Sequence, residues 1–310
     1  MSYLYGPVYS RRLGLSLGVD PFSRKVCSFD CVYCQLGPTP KKTVVRRGGV
    51  NLQKVREELE NILKSKTKID YITISGSGEP TLIKDIGKLI RVIGKICKYK
   101  YPICVITNSS LLYREDVRNQ LREADLVIPS LDAPNQEIFQ KINRPHPLVT
   151  LDKIVKGLIE FRKEYRGKIW LEIMLVKGIN DKENFAYQFK RIIPEIDPDR
   201  VQINIPIRAI PYLKKSLLPS SRVIYQFKKI LGKNCQVVSF RKVKVKKIRT
   251  FIDKNLVFAS LKRRPQSIEE LSVSLGAESE VIEKCVRSLL KDKKVREVMR
   301  GNRRYLMIKR

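Results

Sequence analysis

The chain has 310 residues, with 63 Lys plus Arg against 31 Asp plus Glu and a formal net charge of +32. That length accommodates one large domain and a small one, and the charge far exceeds what solubility needs, so it points to a polyanionic partner or to the lysine-rich surface of a heat-adapted protein. No stretch approaches the roughly 20 apolar residues of a membrane span, and the start, MSYLYGPVYSRRLG, lacks the apolar run of a secretion signal, so no membrane partner and a cytoplasmic location are expected.

Leu13 to Val19 reads as a first strand, delivering the chain to Cys27, Cys31 and Cys34 in a segment that Pro21, Gly37, Pro38 and Pro40 mark as irregular backbone. Three thiolates within eight residues of loop can wrap one corner of an inorganic cluster. Iron-sulfur cubanes usually take four cysteines, so three leave one iron open to a small molecule. A structural zinc site wants four ligands, and the other candidates, Cys97, Cys104 and the single histidine His146, are distant in sequence. A disulfide framework wants an even count and an oxidising compartment, whereas there are seven cysteines. Cys27 and Cys31 on one face of a helix would be out of place among so many turn residues.

After the loop, Asn51 caps a helix to about Lys64, with Leu52, Val55, Leu59, Ile62 and Leu63 at helical spacing. Strand Tyr71 to Ser75 ends in Gly76-Ser77-Gly78-Glu79-Pro80, and a helix follows through Ile83 to Ile96. Strands are expected at Ile103 to Thr107, Leu126 to Leu131, Ile169 to Val176 and Val201 to Ile205. Helices are expected near Arg114 to Glu123, Gln136 to Ile142, Leu151 to Glu164 and Glu183 to Ile193. Strand-helix repetition with apolar strands means an α/β protein with a parallel sheet covered by helices, and six units suit an open, partial (β/α)6 barrel. In parallel barrels chemistry gathers at the C-terminal ends of strands. Candidates there are Gly76 to Glu79, where glycines let backbone approach a ligand, then Thr107-Asn108-Ser109, Ser130-Leu131-Asp132, Gly178-Ile179-Asn180 and Glu172. Each polar triplet is read equally well as a turn or helix cap. Asn143-Arg144-Pro145-His146-Pro147 is stiff and basic: Arg144 suits an anion, while His146 between prolines reads more simply as a surface residue than as a catalyst. Cys97, Cys104, Cys235 and Cys285 fall on apolar faces as small core residues.

The tail begins with a run, Ser239 to Arg249, that alternates basic and apolar residues as a final strand or linker. A helix from Asn255 to Leu261 is followed by the capping box Ser267 to Glu270, opening a helix that stops at Gly276. A third helix spans Ser279 to Leu290, and Val295 to Met299 and Tyr305 to Ile308 make a hairpin around Gly301-Asn302. Three helices and a hairpin resemble a winged helix, a module that meets nucleic acid or protein. Arg287, Lys291, Lys293, Lys294, Arg300, Arg303 and Arg304 decorate its third helix and wing, although this tail, residues 251–310, holds only 15 basic and 8 acidic residues and thus a minority of the excess charge.

The cysteine spacing with Tyr33 before the last cysteine, GSGEP about forty residues on, and the segments GPVYSRRLGLSLGVDP, SLDAPNQEIFQKINRP and LEIMLVKGIND resemble the radical S-adenosylmethionine (SAM) superfamily, in its wyosine-synthase-like branch. The resemblance implies a core over 1–248 and a winged-helix-like domain over 249–310. It implies a [4Fe-4S] cluster on Cys27, Cys31 and Cys34, whose fourth iron takes the amino and carboxylate groups of SAM and whose electron splits the sulfonium to a 5'-deoxyadenosyl radical. Tyr33, Gly76, Ser77, Gly78, Glu79, Asn108, Ser130, Asp132 and Glu172 are then cofactor contacts, and a flavodoxin- or ferredoxin-like protein is the reductant. Wyosine synthases modify transfer RNA with an additional cluster on upstream cysteines, and this sequence has none before Cys27. RNA is favoured over duplex DNA as a partner. A protein or small-molecule substrate, or a nucleic-acid-binding redox regulator, are the alternative readings.

Overall fold

Strand residues that alternate between apolar and polar give the sheet two chemically different faces. The computed structural model describes residues 2–64, 68–206, 217–238, 252–263, 265–300 and 303–309. Its main sheet runs β1 (Leu4–Ser10), β2 (Gly14–Val19), β3 (Tyr71–Ile74), β4 (Ile103–Thr107), β5 (Leu126–Pro129), β6 (Lys168–Met174), β7 (Arg200–Asn204) and β8 (Cys235–Val237), hydrogen-bonded in that order. β1 pairs antiparallel to β2, and every later pair is parallel. The expected partial barrel is therefore present, extended by β1 and β8 at its two edges.

The outer face carries Ile72, Ile74, Val105, Val127, Leu171, Ile173 and Ile203, which join one core with the covering helices. Those helices are α1 (Leu52–Lys64), α2 (Ile86–Ile96), α3 (Glu115–Leu121), α4 (Gln136–Asn143), α5 (Leu151–Glu164), α6 (Glu183–Ile196) and α7 (Ser221–Leu231). Local chemistry starts several of them: Asn51 Oδ1 accepts from Lys54 N at 3.0 Å, Asn135 from Ile138 N at 3.0 Å, and Ser220 from Val223 N at 3.3 Å. Their buried rows, such as Leu89 and Ile93 or Leu158 and Phe161, face the sheet, and truncating one such side chain to alanine costs about 2–5 kcal/mol. Cys97, Cys104 and Cys235 are buried as expected.

The inner face is different. Apolar Leu126, Ile128, Cys104 and Trp170 form a small floor with Leu13. Above it lie the buried polar residues Ser16, Thr73, Glu172, Gln202 and Asn204, with Ser16 and Thr73 hydroxyls 2.6 Å apart. The β1–β2 turn drives two arginines into this lumen. Arg12 pairs with Glu172, and Arg11 reaches the opposite edge, donating to Asn204 Oδ1 at 2.9 Å and to Val238 O at 3.3 Å.

The C-terminal unit has its own core of Val257, Leu261, Ile268, Leu271, Ile282, Val286, Leu289 and Leu306 among others. It consists of α8 (Lys254–Arg263), α9 (Ile268–Leu275), α10 (Ser279–Lys291) and the hairpin β9 (Val295–Arg300) and β10 (Arg303–Ile308). The capping box forms as the sequence predicts, and Gly276 closes α9 in the left-handed region at φ 64°. Gln266 adds a two-way backbone pairing to Leu306, and α9 rests on β1. The run at 239–249, the boundary near 248 and the turn residues 301–302 lie outside the described residues. No helix among the described residues is long and apolar enough to cross a membrane.

Candidate active site

The cysteine loop hangs between two templates at the C-terminal mouth of the barrel. On one side it extends the strand end after β3: Val26 N donates to Ser77 O at 3.2 Å, and Glu79 N donates to Val26 O at 2.9 Å. On the other it follows the end of α4. His146 N donates to Ser28 O at 2.8 Å, Asp30 N to Asn143 O at 3.0 Å, and Val32 N to Ile142 O at 2.9 Å, while Phe29 packs edge-on to Phe139 at 5.4 Å. Several backbone donors and acceptors of this turn-rich loop are thus paired. Arg144 and His146 contribute backbone and side chain: Arg144 sits at φ 44° with its guanidinium 3.7 Å from Asp30 Oδ2, His146 Nδ1 accepts from Leu148 N at 3.2 Å, and Lys42 Nζ donates to the carbonyls of Arg144 and Pro145.

Three elements hold the glycine-rich strand end. Gly76 lies at φ +149°, and a Cβ there would strike the Asp20 carboxyl. Asp20 Oδ1 accepts from Ser77 N at 3.0 Å, and Oδ2 from the Ser77 hydroxyl at 2.7 Å. Glu79 is buried, its Oε1 accepting from Thr81 N, Thr81 Oγ1 and Thr107 Oγ1, and its Oε2 from Asn108 N at 2.7 Å.

Asn108 donates to Cys27 Sγ at 3.5 Å and to Ser28 Oγ at 2.9 Å. Asp132 takes the Tyr33 hydroxyl, Asn143 Nδ2 at 2.8 Å and Met174 N at 2.9 Å. Ser130 joins through its carbonyl, which accepts from Ser109 Oγ at 2.8 Å. Glu172 lies within the lumen with Arg12 and with Asn204 Nδ2 at 3.1 Å. Asn180 bonds Asp132 O, Met174 O and Val176 N, so the Gly178-Ile179-Asn180 triplet is a loop staple.

The electrostatics ask for positive charge. Burial, with Glu79 next, pushes the Cys27 thiol up to about 12. Burial and then Cys27 raise Cys31 well above the ordinary thiol value. Burial raises Glu79 and Asp132 too, against the pull of their hydrogen-bond donors. Thiols and carboxyls crowded out of water are stabilised as anions by incoming cations, and metal binding would release the thiol protons. No three metal-ligating side chains among the described residues converge on a single ion position. A lone zinc needs such convergence, whereas sulfurs that each serve a different iron of a cubane do not. The three loop cysteines therefore fit an iron-sulfur cluster.

Residues 24–188 match the Radical SAM superfamily. The chain belongs to the radical SAM superfamily. It is 34% identical to a UPF0026 protein of Methanocaldococcus jannaschii, over 94% of this chain and 86% of that one. It is 38% identical to a protein named GTPase Obg from Brachyspira hyodysenteriae over 95% of this chain, and it spans only 43% of that relative's length. A radical SAM methyltransferase from Sphaerobacter thermophilus shares the fold at a TM-score of 0.50 and 18% identity, over 72% of this chain and 65% of that one. Within this radical SAM enzyme, the structure brings Cys27, Cys31, Cys34, Tyr33, residues 76–79, Asn108, Ser130 and Asp132 to one mouth, and places Glu172 below it. Sequence reasoning passed over Asp20, Asn143 and Arg12. Asp20 had a signal, its place directly before Pro21 at the loop's start; the other two become visible only when distant segments meet.

Proposed function

We propose that this enzyme reductively cleaves SAM and acts on RNA. Cys27, Cys31 and Cys34 would hold a [4Fe-4S] cluster, which when bound would supply the electron for reductive cleavage of SAM. The chain's own part is placement. Residues 76–79 present a strand-end backbone packed closely against Asp20, Phe22 and Val26, Glu79 offers a fixed carboxylate to an ammonium, and Tyr33, Asn108, Ser130 and Asp132 wall the mouth. Glu172, Gln202 and Asn204 give the lumen a polar wall that orients a polar substrate. A flavodoxin- or ferredoxin-like protein is the proposed reductant.

One observation carries the RNA reading. A cleft of about 450 Å³ opens beside Ser77, with Arg24 and Lys25 on one wall and Ala259, Lys262 and Ile308 of the C-terminal unit on the other. A phosphate backbone lying there would meet cations from both units, which agrees with a net charge of +32. Three helices followed by a hairpin support a winged-helix reading of residues 249–310. Within it Arg304 is engaged by Glu283 at 3.9 Å and Glu297 at 3.4 Å, and Arg287 by Glu283 at 3.3 Å. Lys291, Lys293 and Lys294, exposed at the end of α10, are the better phosphate contacts. Single-stranded loops favour RNA over duplex DNA, because an unstacked base can enter a barrel mouth.

The test measures RNA affinity against salt while scoring 5'-deoxyadenosine from dithionite-reduced protein. Reversing Lys291, Lys293 and Lys294 to Glu should remove three counterion-releasing contacts and flatten the log–log salt slope by about 2, leaving deoxyadenosine formation unchanged. An unaltered affinity and slope would move the tail to a protein-docking role. S-adenosylhomocysteine formed without deoxyadenosine would indicate ordinary methyl transfer instead.

A further inference from the structure

Asn143, the last residue of α4, is only 2% exposed although its side chain is a primary amide. Its Nδ2 has two hydrogens and two partners, Cys31 Sγ at 3.4 Å and Asp132 Oδ2 at 2.8 Å. The amide has one workable orientation, because a flip would set its carbonyl oxygen against a carboxylate and a sulfur, both acceptors. Asp132 is itself fixed by Met174 N on Oδ1 and by the Tyr33 hydroxyl on Oδ2. The backbone of Asn143 holds the same loop, its carbonyl accepting from Asp30 N. One residue therefore grips the cysteine loop by its main chain and donates to a cysteine sulfur with its side chain.

We propose that Asn143 is a positioning residue that sets the reduction potential of the cluster bound through Cys31. The inference rests on Cys31 being a cluster ligand. A donor aimed at a thiolate stabilises it more as its sulfur gains electron density, so the bond favours the reduced cluster. Burial strengthens the effect, since little water competes for the sulfur. The choice of residue follows: aspartate would bring a second negative charge, serine a single donor, and leucine none. Asn108 makes a similar approach to Cys27, at 3.5 Å, sharing its amide with the neutral hydroxyl of Ser28 where Asn143 shares its own with the Asp132 carboxyl.

An EPR-monitored redox titration of reconstituted Asn143→Leu, without SAM, tests this. At the wild-type midpoint the ratio of reduced to oxidised cluster should fall about tenfold, which for one electron is a shift of about 59 mV to more negative potential. Iron content and visible absorption at wild-type values establish that the cluster is retained. Should the variant lose iron, a second measurement decides: asparagine-specific 15N labelling of Asn108→Ser protein should change a weak nitrogen coupling in the pulsed EPR of the reduced cluster. An unchanged midpoint at full iron loading, or no asparagine coupling, overturns the proposal. Wild-type protein that takes up no iron would instead overturn the cluster assignment on which it rests.

Discussion

Cys27→Ala, Cys31→Ala and Cys34→Ala are each expected to abolish cubane formation, whereas Cys97→Ala, Cys235→Ala and Cys285→Ala should keep about four irons per chain after anaerobic reconstitution. The contrast follows from where the sulfurs sit. Cys97 and Cys235 are buried among apolar side chains of the main core, and Cys285 packs against the separate core of the C-terminal unit. Cys27, Cys31 and Cys34 share a loop and sense one another electrostatically, Cys31 being raised by both of its neighbours. Removing one leaves an iron without its protein ligand. Iron quantitation with visible and EPR spectra reads the result. Stoichiometric zinc without iron uptake, or a full cubane in Cys31→Ala, would sink the assignment.

Gly78→Val should lose cluster and cosubstrate together. Glycine at this position suggests space for a ligand, yet the structure gives a different first reason. A Cβ on Gly78 would overlap the Val26 carbonyl and lie 2.9 Å from the Phe22 ring, so it strikes the strand-to-loop pairing through which Val26 and Gly78 adjoin. Overpacking of this kind costs about 1–3 kcal/mol, and here it falls on the joint that aims the cysteines. SAM affinity should drop by roughly ten- to a hundredfold, with poorer iron retention in the same protein. Gly48→Ala is the matched control, its nearest neighbour being Asp85 Oδ2 at 3.8 Å. Equilibrium binding of SAM and iron content in both variants settle the point: wild-type iron in Gly78→Val with weakened SAM would return the effect to the ligand pocket alone.

Much of this site was legible because its residues are close in sequence and their chemistry is uncommon. Three cysteines in eight positions, and glycines directly after a β-rich run, need no long-range information. The barrel followed from apolar strands alternating with helices, but β1, α7 and β8 did not. β1 contains Gly6 and Pro7, and β8 has three residues, too few for a period to show. Asn143 was hidden for a different reason. It meets Cys31 across 112 residues of chain, and beside Arg144 and His146 it attracts attention to charge and imidazole. The contact to a cysteine sulfur is made there by the amide, while Arg144 reaches Asp30 and His146 Nδ1 accepts from Leu148 N.

Arg11 closes the barrel's seam, and that has a consequence for the order in which a nascent chain becomes a finished enzyme. Strands β2 to β8 follow one another in sequence and in space, so each can dock on its predecessor as it leaves the ribosome. The latch differs, because Arg11 lies 193 residues from Asn204 and 227 from Val238. It must wait for nearly the last strand, and until then the sheet is a trough exposed to water. Ser16, Thr73, Glu172, Gln202 and Asn204 make that interval tolerable: a half-built trough lined with hydroxyls, amides and a carboxylate offers less sticky surface to chaperones and neighbouring chains than an oily one. The wall proposed to face a substrate would, during synthesis, be the surface that helps keep the unfinished barrel in solution.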